Sequence, residues 1–200
     1  MTTAGPETER SLPLPDSLPN RFFSLGIDMK GRRCLVVGAG SIGSRKIAKL
    51  IDAEAEVTAV SPEASASVRE WAAAKRIRWE ERCYREADLD GRFLVVAATP
   101  DASLNGTIGR EAAARGILCC VASSAERSTA IFPAVVNGDS VNVAVHTDGL
   151  DCRRAKRIRD LIGKLLHRPG RWPRYDQIEA DNAGKGSGVF NSSRKNGSNS

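Results

Sequence analysis

Aromatic residues and long apolar runs are scarce in this 200-residue sequence. Phe, Trp and Tyr together make up 5% of it, which disfavours an aromatic platform for stacking nucleic-acid bases. No apolar run approaches the length of a membrane span, and the first twenty residues lack the apolar core of a signal peptide. We therefore expect a cytoplasmic protein that binds neither a membrane nor nucleic acid.

Cysteine and histidine are also arranged without a metal motif. The five cysteines are an odd number with no CxxC pair, and three of them lie in apolar, strand-like runs. The two histidines, His146 and His167, are far apart in the sequence. These patterns indicate a reducing compartment and no permanent structural metal site.

Charge and low-complexity composition mark out the two ends of the chain. Residues 1–20 are rich in Pro, Thr, Glu and Ser, and the last residues are rich in Gly, Ser and Asn, so we expect disorder over 1–20 and 177–200. Much of the net charge of +6 lies between Arg153 and Arg174, where Asp160 is the single acid. This basic segment indicates either an anionic partner or a solvated helix face.

Short β-rich runs alternate with helical stretches through the middle of the sequence, which is typical of a parallel sheet with helices on both faces. We predict a Rossmann-type NAD-binding domain over residues 21–122 and a dimerisation and substrate region, a β-hairpin followed by a C-terminal helix, over 123–176. The fold class is therefore α/β. The predicted strands are 34–37, 56–60, 77–81, 93–98 and 117–122, and the predicted helices are 41–53, 62–75 and 102–115.

The pattern changes after residue 122. Two apolar runs, 130–136 and 141–146, flank the Asn137-Gly138 step, which is a strong hairpin signal. A helix is predicted over 151–167, with apolar residues at helical spacing along one face. That face must pack either on its own sheet or on a second subunit.

The clearest chemical motif is LVVGAGSIGSRK, which places Gly38, Gly40 and Gly43 in GxGxxG spacing between a strand and a helix. Gly38 permits the tight turn, Gly40 lets the backbone approach a pyrophosphate, and Gly43 allows the helix to pack closely on the strand. The structural context that this motif requires is present. We therefore predict a dinucleotide cofactor.

The choice between NAD and NADP depends on the end of the next strand. A ribose-binding acid is expected roughly 20 residues after the motif, near Val60. Glu63 is near enough to serve, and no Arg occupies the position that favours a 2′-phosphate, so NAD is preferred. The alternative is that Glu63 is a first-turn acid stabilised by the helix dipole. Thr99 lies at another strand end, beside the expected cofactor crevice, and Asn105 is a candidate for orienting that loop. The alternative for either residue is local turn and capping chemistry.

Four segments that occur together, in this order, resemble one family. They are FFSLGIDMKGR (22–32), GAGSIGSRK (38–46), AATPDASLN (97–105) and IFPAVV (131–136). Over residues 21–167 the sequence resembles precorrin-2 dehydrogenase, the dehydrogenase/ferrochelatase module of sirohaem synthase. The resemblance implies NAD-dependent dehydrogenation of precorrin-2 to sirohydrochlorin, in some members followed by metal insertion, in a homodimer whose C-terminal regions pack together.

The same resemblance assigns roles to residues. It implies that Ser41, Ile42, Pro62 and Glu63 contact the dinucleotide. It also gives the basic helix a partner, because precorrin-2 is a tetrapyrrole with eight carboxylate side chains that suit Arg and Lys. The residues expected to bind substrate are Arg153, Arg154 and Arg157.

The sequence departs from the family pattern at the end of the strand 117–122. The family usually has Asn-Val-Val-Asp there, and that Asp is assigned acid/base work in both reactions, whereas this chain reads Cys120-Val121-Ala122-Ser123. A serine without an activating partner is a poor base at neutral pH, while hydride transfer depends first on positioning the donor carbon. The change therefore threatens chelation, which must remove two pyrrole protons, more than dehydrogenation.

A second departure follows the strand 141–146, where the family usually has Ser-x-Gly-Gly-x-Ser-Pro and this chain reads HTDGLDC. His146, Asp148 or Glu126 would replace the missing base if one of them reached the macrocycle. A histidine at a strand end is, however, more often a surface residue. Our catalytic candidates are Ser123 and His146.

Three classes of function remain open. The leading hypothesis is a dehydrogenase with doubtful chelatase activity, beside a bifunctional dehydrogenase/ferrochelatase. A non-catalytic relative that binds a tetrapyrrole or NAD is the second class, motivated by Ser123. A nucleic-acid-binding or redox-sensing Rossmann protein ranks last, because no recognition motif accompanies the basic segment.

Overall fold

The computed structural model describes residues 21–138 and 141–166, which form two compact units. Within these ranges the first unit contains a five-stranded parallel sheet in the order β3-β2-β1-β4-β5, the predicted Rossmann-type arrangement. Its elements are β1 (Arg33–Ala39), α1 (Ser41–Asp52), β2 (Glu56–Ala64), α2 (Ala66–Ala73), β3 (Arg78–Glu80), a 3-10 helix (Glu86–Leu89), β4 (Leu94–Ala97), α3 (Ala102–Ala114) and β5 (Leu118–Val121).

Helices cover both faces of this sheet. Alternate residues of β1 point to opposite sides, so Val36 packs in one core cluster with Ile47 of α1, and Leu35 packs in the other with Ile108 of α3. Burial on both faces explains why the strands read as continuous apolar runs. Burial also raises the pKa of the Cys34 thiol to about 11 and that of Cys119 to about 12, so both act as apolar core residues.

The second unit is small. Its elements are β6 (Ala134–Asn137), β7 (Asn142–Val145) and α4 (Cys152–Leu166). The two strands pair in antiparallel register, with Val136 opposite Val143, and Gly138 N–H donates to the Val141 carbonyl at 2.8 Å. The hairpin and the helix are thus where the sequence predicts them, while Asp139 and His167 lie outside the described residues, as do the termini predicted to be disordered.

The strand predicted over 130–136 begins only at Ala134, because the residues before it pair with β5. Thr129 and Ala130 donate their N–H groups to the Cys119 carbonyl at 2.8 and 3.0 Å, and the Thr129 hydroxyl accepts from Cys119 N–H at 2.8 Å. Ser128 is 1% exposed, and its hydroxyl accepts from Val121 N–H at 2.9 Å. Residues 128–130 therefore provide hydrogen-bond partners for the backbone groups on the outer edge of β5.

Because residues 128–130 are hydrogen-bonded to β5, they belong to the first unit, and the chain leaves that unit only after them. The first compact unit extends to Phe132 and includes Thr147–Asp151, and the second begins at Pro133, rather than at the predicted division at residue 123.

Among the helices that the structure describes, none combines the length and apolar character needed to cross a membrane.

The Ser128 hydroxyl provides a test of this edge. Ser128→Ala removes the acceptor of Val121 N–H and leaves that amide buried without a partner, so the free energy of unfolding should fall by roughly 1–3 kcal/mol. Urea denaturation of the variant measures this change. Ser103→Ala, on the exposed side of α3, is the matched control and should change the stability by less than about 0.5 kcal/mol. Equal stabilities of the two variants would contradict the assigned role.

Candidate functional site

The glycine turn lies between β1 and α1, at the carboxyl end of the central strand. Gly38 adopts φ +97°, which favours glycine, and a Cβ at this position would lie 2.5 Å from the Ala98 carbonyl oxygen and 2.8 Å from Thr99 N. The turn is thus pressed against the end of β4. A side chain at position 38 has no room.

Gly43 and Gly40 serve opposite purposes. A Cβ at Gly43 would lie 1.9 Å from the Gly38 carbonyl oxygen, so only glycine lets α1 approach the turn. A Cβ at Gly40 would meet nothing within 4 Å, and the φ of −77° and ψ of −164° at this position suit any residue. Gly40 therefore leaves open a space over the backbone, of the kind that a pyrophosphate fills in the GxGxxG motif.

The first turn of α1 borders this space. Gly40 is the N-cap and has no side chain to accept from the first amides, and the first helical bond runs from Ser44 N–H to the Gly40 carbonyl at 2.9 Å. The N–H groups of Ser41 and Ile42 precede that bond and carry the positive end of the helix dipole. Both residues are exposed. The geometry fits an anionic group of a dinucleotide at this helix end.

Beside the turn, β2 makes a detour that we call the 61–63 excursion. Val60 pairs with Val37 and Ala64 pairs with Ala39, so residues 61–63 lie opposite Gly38 alone. The helix predicted from Pro62 is therefore wrong at its start, because Ala64 stays paired and Ser65 N–H donates to the Ala39 carbonyl at 2.9 Å, which delays α2 to Ala66.

This correction changes the interpretation of Glu63. The acid belongs to β2 and not to the first turn of α2, which contains no acidic residue, so the helix-dipole alternative is wrong. Glu63 and Pro62 are exposed next to the glycine turn. No Arg was expected at this strand end from the sequence. The structure, however, brings Arg69 of α2 to it, and Arg69 Nε donates to the Ala64 carbonyl at 3.1 Å.

Thr99 is held in place by Asn105. The Asn105 amide is 1% exposed, accepts from Thr99 N–H at 3.0 Å and from its hydroxyl at 2.8 Å, and donates to the Thr99 carbonyl at 2.9 Å. Asn105 therefore orients the loop after β4, which was one of its two predicted roles. Asp101 caps α3 by accepting from Ser103 N–H and Leu104 N–H.

Ser123 lies in the turn after β5, at the same carboxyl edge of the sheet as Gly38 and Thr99. The preceding Ala122 N–H donates to the Ala97 carbonyl at 2.9 Å, which extends the sheet up to this turn. Ser123 is exposed, and no described residue is hydrogen-bonded to its hydroxyl. The position thus has access to solvent and no built-in activating base within residues 21–138 and 141–166.

The segment after Ser123 is fixed by Arg21, which belongs to no motif in the sequence. Its guanidinium donates to the carbonyls of Glu126 at 2.9 Å and Ser128 at 3.0 Å, and its N–H donates to Asp148 Oδ2 at 3.1 Å. Asp148 has φ +49° and forms a turn with Gly149. Asp148, a candidate replacement base, therefore has a structural contact with the start of the described chain.

The remaining candidates belong to the second unit. His146 follows β7 and is half-buried. Arg153, Arg154 and Arg157 are exposed on the first two turns of α4, which has no acidic residue in its first turn. Arg153 and Arg154 lie at the positive end of the helix dipole, where a cation is unfavourable.

The glycine turn, the open position at Gly40 and the strand order define a dinucleotide-binding Rossmann domain. Residues 25–134 match the family model described as "Putative NAD(P)-binding", which confirms the predicted class of cofactor. The match spans β1 to β5 and ends at Ala134, where β6 begins.

Comparison with curated proteins and solved structures narrows the class. The chain is 30% identical to "Precorrin-2 dehydrogenase" of Bacillus subtilis, covering 72% of this chain and 89% of that protein. The structure named "SirC, precorrin-2 dehydrogenase" has a TM-score of 0.64 at 30% identity, covering 72% of this chain and 71% of the other. The chain belongs to the precorrin-2 dehydrogenase family.

A longer class of relatives carries the same module. The chain is 41% identical to "Siroheme synthase" of Methylobacillus flagellatus over 69% of its own length and 30% of that protein, and 32% identical to that of Nitrosococcus oceani over 80% and 34%. The chain thus spans about a third of the siroheme synthases that it matches.

The two glycines predict separable effects. Gly43→Ala should lower the free energy of unfolding by roughly 1–3 kcal/mol, because its Cβ collides with the Gly38 carbonyl. Gly40→Ala should cost less than about 1 kcal/mol, since it replaces only an N-cap glycine, and should weaken NAD binding by filling the open space. Urea denaturation and titration calorimetry with NAD measure the two effects. A Gly40→Ala protein that binds NAD like the wild type would contradict the assignment.

Proposed function

We propose that this chain oxidises precorrin-2 to sirohydrochlorin with NAD as the hydride acceptor. The observation that carries the proposal is the open backbone at Gly40, flanked by the amide-rich start of α1 and by Glu63, in a member of the precorrin-2 dehydrogenase family. These are the parts needed to hold the pyrophosphate and a ribose of a dinucleotide. The proposed substrate is that of the precorrin-2 dehydrogenases to which the chain is similar.

The residues of the chain supply binding and orientation. Ser41 and Ile42 present amides to the pyrophosphate, Pro62 shapes the turn beside it, and Glu63 accepts from the ribose hydroxyls. Thr99, fixed by Asn105, borders the crevice at the end of β4. When bound, NAD accepts a hydride from the substrate, and the accompanying proton leaves to solvent, to which Ser123 is open.

The substrate carboxylates are assigned to Arg153, Arg154 and Arg157. These cations are exposed on α4, and two of them oppose the helix dipole, which an anionic ligand would compensate. Guanidinium groups bind carboxylates with two parallel hydrogen bonds, so three of them suit a polycarboxylate better than a single charge. His146 is kept as a candidate proton acceptor from the second unit.

Ser123 separates the two reactions of the family. Dehydrogenation releases one proton with the hydride, whereas metal insertion requires removal of two pyrrole protons, and no described residue is hydrogen-bonded to the serine hydroxyl to activate it. We therefore assign the dehydrogenase reaction and leave chelatase activity doubtful. The same exposed, unactivated serine favours the second candidate function, a non-catalytic relative that binds a tetrapyrrole or NAD.

An assay distinguishes these functions. Purified protein with precorrin-2 and NAD should produce sirohydrochlorin and an equal amount of NADH, followed by visible and near-ultraviolet absorbance. Cobalt added afterwards should be inserted no faster than without protein. Ser123→Asp should accelerate insertion roughly a hundredfold, the low end for an added general base, whereas Ser124→Asp, one residue along the loop, should not.

Absence of NADH above the rate without protein would exclude the dehydrogenase. If NAD and the tetrapyrrole still bound under those conditions, the non-catalytic function would take its place. Rapid cobalt insertion by the wild-type chain would instead establish the bifunctional alternative.

We also propose that the chain forms a homodimer through its second unit. Within the described residues of that unit only Val136 and Ala155 are buried, although Ile158, Leu161 and Leu165 repeat at helical spacing along α4. Leu161 is 61% exposed. A hairpin and one helix bury too little apolar surface to be stable alone, and a second copy offers an identical apolar stripe.

Leu161→Asp should convert the dimer to a monomer, because it places a charge in the centre of the apolar stripe. Light scattering coupled to gel filtration gives the mass in solution. Lys156→Glu changes a charge on the same helix outside the stripe and should leave the dimer intact. A wild-type protein that elutes as a monomer at all accessible concentrations would refute this assignment.

A further inference from the structure

The 61–63 excursion is supported by an aromatic residue outside the glycine motif. Trp79 lies on β3, in register with Ala59 of β2, and its indole Nε1–H donates to the Ser61 carbonyl at 3.1 Å. The indole is partly buried against the core cluster that contains Val57 and Val68. One edge strand therefore carries the contact that anchors the first residue of the excursion.

Arg69 supports the other end. Its Nε donates to the Ala64 carbonyl at 3.1 Å, and its guanidinium carbon lies 5.5 Å from the centre of a Trp79 ring. Arg69 and Trp79 thus contact each other as well as the backbone on both sides of the excursion. Ser65 N–H adds the bond to Ala39 that closes the detour.

These contacts matter because the 61–63 excursion has few other restraints. Residues 61–63 have no ladder partners, since Val60 and Ala64 take the positions opposite Val37 and Ala39. Pro62 fixes its own φ and has no N–H to donate. The placement of Glu63 relative to the glycine turn therefore depends on the bonds made by the carbonyls of Ser61 and Ala64.

We propose that Trp79 and Arg69 are positioning residues for cofactor selection, which hold the 61–63 excursion so that Glu63 faces the adenosine ribose and rejects a 2′-phosphate. This inference rests on the proposed function for the identity of the cofactor. A fixed carboxylate accepts from the ribose hydroxyls of NAD and repels the phosphate of NADP, so its position decides the ratio of the two affinities. Both residues are assigned to positioning the backbone, through their bonds to the Ser61 and Ala64 carbonyls.

Trp79→Phe keeps an aromatic ring on β3 and removes the indole donor. Loss of this one hydrogen bond should weaken NAD binding roughly three- to tenfold. NADP binding should change less, because it gains nothing from a well-placed Glu63, so the preference for NAD falls. Titration calorimetry with NAD and with NADP, in the absence of precorrin-2, gives both dissociation constants.

Trp71→Phe is the matched control. Trp71 lies on α2, packs against the same core cluster and donates no hydrogen bond to the excursion in the described structure. It should leave both affinities unchanged. Arg69→Met is a second variant on an exposed position, where unfolding is not expected, and should weaken NAD roughly two- to fivefold.

A Trp79→Phe protein with the wild-type ratio of NAD to NADP affinity would overturn the inference. This holds whether both affinities are unchanged or both are weakened equally together with a lower Tm, and the second case would show a structural role alone. Failure of the proposed function would look different. If the chain binds NAD with these variant effects but does not oxidise precorrin-2, the positioning role is supported and the proposed reaction is wrong. If the wild-type chain binds neither NAD nor NADP, both proposals are wrong.

Discussion

The contact between the glycine turn and the start of α1 is the constraint on which the rest of the first unit depends. The backbone at Gly38 lies so close to Gly43 and to the end of β4 that a methyl group fits at neither position. This contact fixes where α1 begins and therefore where its amides point. It also sets the position of Ala39, whose carbonyl receives Ser65 N–H and ends the 61–63 excursion. Cofactor geometry thus follows from backbone packing.

Side-chain hydroxyl groups fix the backbone at the β5 edge of the sheet. Ser128 and Thr129 bond to the N–H groups of Val121 and Cys119, so within the described structure the outer edge of β5, away from β4, is hydrogen-bonded by side chains and not by a further strand. A run of small polar residues after a parallel strand invites a catalytic interpretation, and in this chain Ser128 and Thr129 instead complete the sheet. Ser123, which precedes them, does not take part in this pairing within the described structure.

Much of the architecture follows from local sequence signals. Apolar runs bounded by helical stretches were sufficient for the order of strands and helices, and the three glycines with their flanking elements were sufficient for the cofactor turn. The position of Glu63 was not predictable in this way. Its place in β2 depends on a register irregularity opposite Gly38, which no short pattern encodes. The same holds for Trp79 and Arg21, whose partners lie 18 and 127 positions away along the chain.

The anchoring of the loop after β5 has a consequence for how this family can diverge. Arg21 binds the carbonyls of residues 126 and 128, and Ser128 and Thr129 bind β5, so the loop is held without help from the residue at position 123. A change between aspartate and serine at position 123 should therefore alter the free energy of unfolding little. Selection for a minimum stability then does not restrict which of the two residues occupies the position. Selection on chemistry alone then decides what occupies the position, and a lineage can lose or regain a carboxylate without rebuilding its scaffold.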